Sequence, residues 1–242
     1  MSNRAAPEPR GTYHHGKLRE ALLEAAVALV QEQSPEAVSV REVARRAGVS
    51  SGAPFRHFPD KTALMTAVAE EGTRRLMAEI EVATVAAGDD PVKQFRAIGV
   101  TFVLFAVRNP GHFRVMNMPE YADRSRSAYL GESTDAGERE MRELLARARA
   151  EGQILPWDPG LLMIASRALV YGVARMFIDG HFAELGVGVE QAQAITEAVT
   201  DIFGGGLVRA TEAERGPSHA EPASPPPKAR SAKRPATTAK PR

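Results

Sequence analysis

Residues 39–58, SVREVARRAGVSSGAPFRHF, decide the fold. Ser39 followed by Glu42 has capping-box spacing: the serine hydroxyl accepts from the backbone N–H three residues on, and the glutamate reaches back to the cap. A helix therefore starts here. Val40, Val43, Ala44 and Ala47 fall at i, i+3, i+4 and i+7 and form one apolar face. Gly48 ends it, because a residue there can turn at positive φ without strain only if it lacks a Cβ. Ser50 is the expected N-cap of a second helix running to about His57. Two short helices joined at a glycine, with small Ala44 at their crossing, make a helix-turn-helix. The outer side of the second helix (Ser51, Gly52, Ala53, Arg56, His57) is slim and polar, as a rod entering the DNA major groove must be.

On either side the chain supports this unit. Upstream, a helix from about Lys17 to Gln33 puts Leu18, Leu22, Ala25, Ala26, Leu29 and Val30 on one face, which covers the backs of the two short helices. Tyr13, His14 and His15 precede it, either as an arm to phosphates and the minor groove or as packing over the helix start; Tyr13 is assigned to a phosphate and His15 to packing. Downstream, Asp60 caps a long helix from Lys61 to roughly Ala86, carrying Leu64, Val68, Leu76 and Ile80 and spanning about 40 Å at 1.5 Å per residue. Pro54 falls at about the fourth residue of the expected recognition helix. It removes only an N–H that would bond the Ser50 carbonyl, so its cost lies below the interior figure of about 3 kcal/mol.

The run VREVARRAGVSSGAPFRHFPDKTALM, with its YHHGKLR lead-in, resembles the TetR family of transcriptional repressors. Several separately constrained positions agree over residues 13–68. Residues 169–180 (LVYGVARMFIDG) resemble the "WHG" variety of the family's C-terminal domain, with other residues in the Trp and His places, Tyr171 in the latter. The resemblance implies an all-α protein: an N-terminal three-helix helix-turn-helix domain joined by a long helix to a helical ligand-binding and dimerisation domain. The expected divisions are a flexible N-terminus (1–12), the DNA-binding domain (13–62), the ligand-binding and dimerisation domain (63–210) and a tail (211–242).

The resemblance also implies site roles. Ser50, Ser51, Gly52 and Ala53 open the recognition helix and face bases or approach the backbone closely, with Arg56 and His57 a turn on. Ser39, Arg41 and Lys61 sit at helix starts, where N–H groups and positive charge favour phosphates. Phe55 stands where the family carries a Tyr whose hydroxyl meets a phosphate; here the ring remains and that hydrogen bond does not. Val40, Val43, Ala44, Val49 and Phe58 read as core. Arg45 and Arg46 either touch DNA or are exposed salt-bridge partners.

Beyond the long helix, Gly88-Asp89-Asp90-Pro91 breaks the chain and restarts it, with Asp90 as cap and Pro91 at the first helical position. Phe95, Ile98, Phe102 and Phe105 line the new helix, which Asn109-Pro110-Gly111 ends. A short piece (His112 to Met116), a loop (117–126) and a polar helix from about Ser127 to Glu151 follow. The helix from Leu161 to Phe182 is apolar nearly all round and so is expected to be buried on more than one side. Ala165, Ala168 and Gly172 form a narrow seam on it. The last helix, Glu190 to Phe203, offers Ile195, Val199 and Ile202. These last two helices either close the monomer core or, as assigned here, form a homodimer interface as a four-helix bundle. Two-fold symmetry then matches a palindromic operator in double-stranded DNA.

Phe102, Phe105, Phe113, Met116, Met118, Tyr121, Tyr171 and Met176 are the candidates to line an apolar cavity, each with ordinary core as its alternative. Arg167, Tyr171 and Arg175 share a helix face and would suit an anionic or polar ligand; alternatively, Arg175 pairs with Asp179 four residues on. The expected function is a homodimeric repressor released from its operator by an unknown small-molecule inducer. The alternative is a DNA-binding regulator whose C-terminal domain recruits a protein partner.

Composition narrows the classes. The 242 residues include no Cys, which excludes disulfides, thiolate metal sites and cysteine nucleophiles. Charge follows a gradient. Residues 1–62 carry nine Lys and Arg against seven Asp and Glu, residues 63–210 fifteen against twenty, and residues 211–242 seven against three. A basic head and tail around an acidic body suit a DNA-binding end. Seven of the seventeen prolines fall in residues 211–242, so a disordered basic tail is expected, either adding DNA affinity or solubilising. The N-terminus lacks the apolar core of a signal peptide and no apolar run of membrane-spanning length is free of charge, so a cytoplasmic protein with no membrane partner is expected. Gly48-Val49-Ser50-Ser51-Gly52 matches a hydrolase nucleophile elbow, but an amphipathic helix precedes the serine where that elbow needs a strand. The six His show no metal-ligand spacing. Neither catalysis nor a cofactor or metal is expected.

Overall fold

Nine α-helices and two 3₁₀ turns, and no strand, make up the described residues, 12–122 and 125–206, of the computed structural model. Side chains are described from residue 17 onward. The helices are α1 (Thr12–Glu32), α2 (Val40–Arg46), α3 (Lys61–Ala86), α4 (Pro91–Arg108), α5 (Pro110–Met116), α6 (Ala128–Ala150), α7 (Pro159–Ile178), α8 (His181–Glu184) and α9 (Ala192–Gly205), with 3₁₀ turns at Pro54–Arg56 and Val189–Gln191. The expected flexible N-terminus (1–12) and basic tail lie outside the described residues, except for Thr12, which opens α1.

Local chemistry sets the helix starts. The Ser39 hydroxyl accepts from the Glu42 N–H at 3.2 Å while Glu42 accepts from the Ser39 N–H at 3.2 Å, a complete capping box. Asp60 caps α3 (Ala63 N–H at 2.7 Å), Ser127 caps α6 (Leu130 N–H at 3.2 Å) and Asp158 caps α7 (Leu161 N–H at 2.8 Å). Asp90 accepts from both Val92 and Lys93 at the start of α4. At the end of α2, Gly48 has φ +70, with Gly48 N–H on the Arg45 carbonyl and Val49 N–H on the Ala44 carbonyl. That pair of bonds is the Schellman closure that the glycine permits.

Four elements differ from the sequence reading. α1 begins at Thr12, five residues before Lys17. The second helix of the helix-turn-helix is not an α-helix: residues 51–53 form turns and only Pro54–Arg56 are helical, as 3₁₀. Pro54 is the cause. It has no N–H to give the Ser50 carbonyl, and its ring would strike that oxygen in an α-helix. The Ser50 carbonyl instead accepts from Ala53 N–H at 3.0 Å, and His57 N–H closes on the Pro54 carbonyl at 2.9 Å, both three residues apart. The N-cap of this turn is Ala53, not the expected Ser50, and it has no side-chain cap. The apolar helix expected to reach Phe182 stops at Ile178, because Gly180 turns left-handed at φ +84 before the short α8. Likewise the last helix starts at Ala192, after a 3₁₀ turn, and not at Glu190.

The head core joins Leu22, Ala26 and Val30 of α1 to Val43 of α2, Phe58, and Leu64, Met65 and Val68 of α3. It does not stop at residue 62: Val115 of α5, Tyr121 and Leu130 of α6 complete it. Farther along, α4 packs against α3, α6, α7 and α9 and is the central post of the distal region. α7 is long and apolar enough to cross a membrane by length and composition, but it carries Arg167 and Arg175 and closes its inner face on α4 and α9. It is not buried on more than one side. Leu161 and Ile164 are each 67% exposed, Ala165 and Ala168 lie beside them, and Ile202 of α9 is 79% exposed.

Candidate functional site

The head presents one surface and buries the other. Val40, Val43, Ala44 and Phe58 are buried and Val49 half-buried, as core residues should be. Arg41, Ser50, Ser51, Gly52, Phe55 and Arg56 are exposed, Ala53 and His57 half-buried. Phe55 is an unusual surface residue, its ring 52% exposed. Pro54 is buried behind it and anchors the turn that carries both Phe55 and Arg56. A tight turn with a Gly and a Ser at its start leaves room for a phosphate or base edge to approach the backbone.

Several candidate contacts have partners inside the protein. Ser39 is engaged by Glu42 through both its N–H and its hydroxyl, and these bonds hold the Glu42 carboxyl below the usual carboxylate range. Lys61 Nζ donates to the Glu36 carbonyl at 2.6 Å, tying the start of α3 to the α1–α2 link. Arg46 grips Glu32 with both terminal nitrogens, Nη1 to Oε1 at 2.7 Å, which lowers the Glu32 carboxyl and raises the guanidinium. Of the two arginines left open by the sequence, Arg46 is thus a salt-bridge partner, and Arg45 is exposed. The side chain of Tyr13 lies outside the described residues.

A cavity of about 530 Å³ opens in the distal region among α3, α4, α6, α7 and the end of α9. More than half of its lining residues are apolar, including Leu76, Ile80, Phe95, Ile98, Met141 and Leu145. Of the sequence candidates it gathers Phe102, Met116 and Arg167. The others lie elsewhere. Phe105 and Phe113 are fully buried core, Phe113 stacking edge-on to Phe102 at 5.4 Å. Tyr121 and Met118 belong to the head core, where burial pushes the Tyr121 hydroxyl up. Tyr171, 37% exposed, rests its ring against buried Phe113 at 5.9 Å and does not line the cavity, and Arg175 pairs with Asp179 at 2.7 Å, the alternative the spacing allowed. Met176 is half-buried and does not reach the cavity.

Sequence reasoning missed the α6 contribution: Ser133, Thr134, Gly137 and Met141 form a wall on a helix taken as merely polar. The signal was present, since these small and apolar residues recur at helical spacing on an otherwise charged helix.

Helix α5 touches both sites. Met116 and Asn117 line the cavity, while Val115 is buried in the head core. A Cβ on Gly111 would lie 2.8 Å from the Val27 carbonyl oxygen of α1, so α5 crosses α1 at a separation only glycine permits. Arg114 Nη1 donates to the Val30 carbonyl at 3.0 Å, capping the end of α1. Gly72 of α3 makes the second close crossing: a Cβ there would lie 2.6 Å from Met116 Sδ and 3.0 Å from His112 Cβ.

Known proteins share this architecture. Residues 22–68 match the family described as "Bacterial regulatory proteins, tetR family", and residues 95–203 match "Tetracyclin repressor-like, C-terminal domain". A solved structure of a protein of unknown function from Rhodococcus sp. RHA1 is 30% identical, with a TM-score of 0.65 over 83% of this chain and 100% of its own. The ketosteroid transcriptional regulator KstR2 of Mycobacterium tuberculosis has the same fold at 20% identity, with a TM-score of 0.66 over 86% of this chain and 100% of its own. The nucleoid occlusion factor SlmA of Vibrio cholerae is 25% identical over 173 residues, 69% of this chain and 87% of that protein.

Proposed function

Because this chain belongs to the TetR family and is a DNA-binding regulator, we propose that it represses transcription from a palindromic operator as a homodimer and leaves it when a small molecule fills the distal cavity. Arg41 and Arg56 contact phosphates, and the turn at Ser51, Gly52 and Phe55 meets the major groove. Ser39 and Lys61 serve the site by holding α2 and α3 in register. The dimer forms through the exposed apolar faces of α7 and α9. A second copy related by a two-fold axis would cover Leu161, Ile164 and Ile202 and present two heads to the two half-sites. Such a protein works in the cytoplasm, where its DNA lies.

One observation carries the ligand half of this reading: α5 lines the cavity with Met116, sinks Val115 into the head core and crosses α1 without clearance at Gly111. A molecule that displaces Met116 moves a helix wedged against the head. Interfaces packed this closely shift between discrete arrangements instead of deforming smoothly, so occupancy of the cavity changes the separation of the two heads.

The test is fluorescence anisotropy with DNA from upstream of the protein's own gene, across a salt series and against scrambled competitor. Expected are tight, competitor-resistant binding at two protomers or a multiple per site, and a shallower salt dependence for Arg56→Ala. Equal binding to scrambled DNA counts against sequence-specific repression at that site.

A second reading keeps the DNA-binding head and gives the distal region a protein partner in place of an inducer. The similarity to proteins named nucleoid occlusion factor favours it. Calorimetry in which no small molecule alters DNA affinity would select this reading over the first.

A further inference from the structure

Charge limits what the cavity can accept. Five charged side chains contribute to its wall: Arg96, Glu138, Glu140, Arg167 and Asp201. Both cations already face a carboxylate, in pairs that are partly exposed to water. Arg96 Nε donates to Asp201 Oδ1 at 2.6 Å, and its Nη2 reaches the Glu197 carbonyl at 3.5 Å. Arg167 Nη1 stands 3.9 Å from Glu138 Oε1. Two arginines against three carboxylates give the wall a net charge of −1. An organic anion entering it must leave water and compete with carboxylates that already face both guanidiniums, Asp201 hydrogen-bonded to Arg96 and Glu138 at ion-pair distance from Arg167. A cation fares little better, because two of the three carboxylates are held in those pairs and Glu140 is exposed.

Two of the neutral polar groups in the wall offer acceptors. The Thr134 hydroxyl donates to the Leu130 carbonyl at 2.7 Å and the Ser166 hydroxyl to the Met163 carbonyl at 3.0 Å. Each has spent its proton on its own helix, and its oxygen can still accept. Gly137 supplies space: a Cβ built there meets nothing within 4 Å, so α6 presents an open floor opposite the apolar side chains of α3 and α4.

We infer that the cavity selects an uncharged, largely hydrocarbon molecule bearing at most a few hydrogen-bond donors such as hydroxyls, and rejects charged molecules built on the same skeleton. This rests on the ligand-controlled reading above and names the chemistry of its ligand. The volume, about 530 Å³, is within the range that takes drug-sized molecules.

Three fluorescent dyes test it on the full-length protein: neutral phenylnaphthylamine, its sulfonate anilinonaphthalenesulfonate, and cationic ethidium. The neutral dye should bind at least about tenfold more tightly than either charged one, with long-chain alcohols displacing it. Gly137→Phe, and the milder Gly137→Leu, should remove its binding while leaving the helical circular dichroism of the protein intact. Asp201→Asn releases Arg96 and should narrow the ratio between the neutral dye and the sulfonate by several-fold. A charged dye binding as tightly as the neutral one overturns the ligand class and leaves ligand control standing. Neutral-dye binding that persists in both Gly137 variants puts the dye outside the cavity and overturns the inference. If none of the dyes binds, both the inference and the ligand-controlled reading fall.

Discussion

The head and the distal region use the same material, apolar helices, to opposite ends. In the head, Leu22, Val30, Val43, Leu64, Met65 and Val68 have no exposed surface. In the distal region the helices stand apart around about 530 Å³ of space, and they leave Leu161, Ile164 and Ile202 facing outward. The closed core keeps the recognition turn in one geometry. The open one keeps two vacancies, an internal cavity and an uncovered apolar face. A ligand-controlled regulator, as proposed above, needs both kinds of region, because a reading head that adapted its shape would lose its register, and a distal region without space could sense nothing.

Truncation should expose the difference most strongly. Leu64→Ala removes a side chain from the closed core and should cost about 2–5 kcal/mol in urea unfolding. Met77→Ala trims a residue that already borders the cavity, and should cost about 1 kcal/mol or less, since it enlarges an existing space and creates no new one. Equal costs would break the contrast. The lone tryptophan, Trp157, sits in the α6–α7 connection and reports the distal region, so its transition can be compared with the circular dichroism of the whole.

A single substitution made at two glycines sharpens the comparison at smaller scale. At Gly111 a methyl group would meet the Val27 backbone carbonyl at 2.8 Å, which cannot withdraw without moving α1. Gly111→Ala should therefore destabilise by about 1–3 kcal/mol, as overpacking does. At Gly137 the same methyl meets open space in the middle of α6, so Gly137→Ala should stabilise by up to about 1 kcal/mol through helix propensity. Thermal melts that move in the same direction for both would deny that α5 is wedged and α6 free.

What could be read from the sequence follows from the same distinction. Every helix start resting on a local cap was legible: Ser39 with Glu42, and Asp60, Asp90 and Asp158. Their chemistry is complete within four residues. The recognition turn is tighter than the missing hydrogen bond of Pro54 alone implies, because an α-helix would drive its ring into the Ser50 carbonyl and the ring is buried. The cavity lining was legible only in part, at Phe102, Met116 and Arg167, for a different reason. Large aromatic residues were chosen for the cavity, yet Phe105, Phe113 and Tyr121 are the residues that fill space best and so became core. A cavity is bounded by what does not fill it, such as Gly137, Ser133 and Thr134, and that is decided by where six or more helices come to rest. The half-exposed α7 was illegible for a related reason: an all-round apolar helix looks the same whether its second face is covered by its own chain or by another.

The junction between the two regions offers the smallest effect and the most local one. His112 of α5 is 5% exposed, its Nε2 has no hydrogen-bond partner, and it lies against α3 near Glu71 and Arg75. Burial is the main influence and pushes the imidazole below its ordinary value of 6.5; Glu71 opposes the shift and Arg75 adds to it. The folded protein therefore keeps this ring neutral where an unfolded chain would protonate it. Below about pH 6.5 the unfolded state binds the extra proton, so the contribution is fully present above that pH and is lost as the pH falls toward the lowered folded value. Glu32 and Glu42, held below their ordinary 4.5, lose theirs only in a more acidic range, so the two effects separate. Urea midpoints measured at about pH 7.5, 6.5 and 5.5 should decline for the parent protein and decline less for His112→Gln, which cannot take the proton. Parallel slopes would mean that the junction opens to water around His112, and then α5 would not be the tight wedge between cavity and head that the two glycine crossings describe.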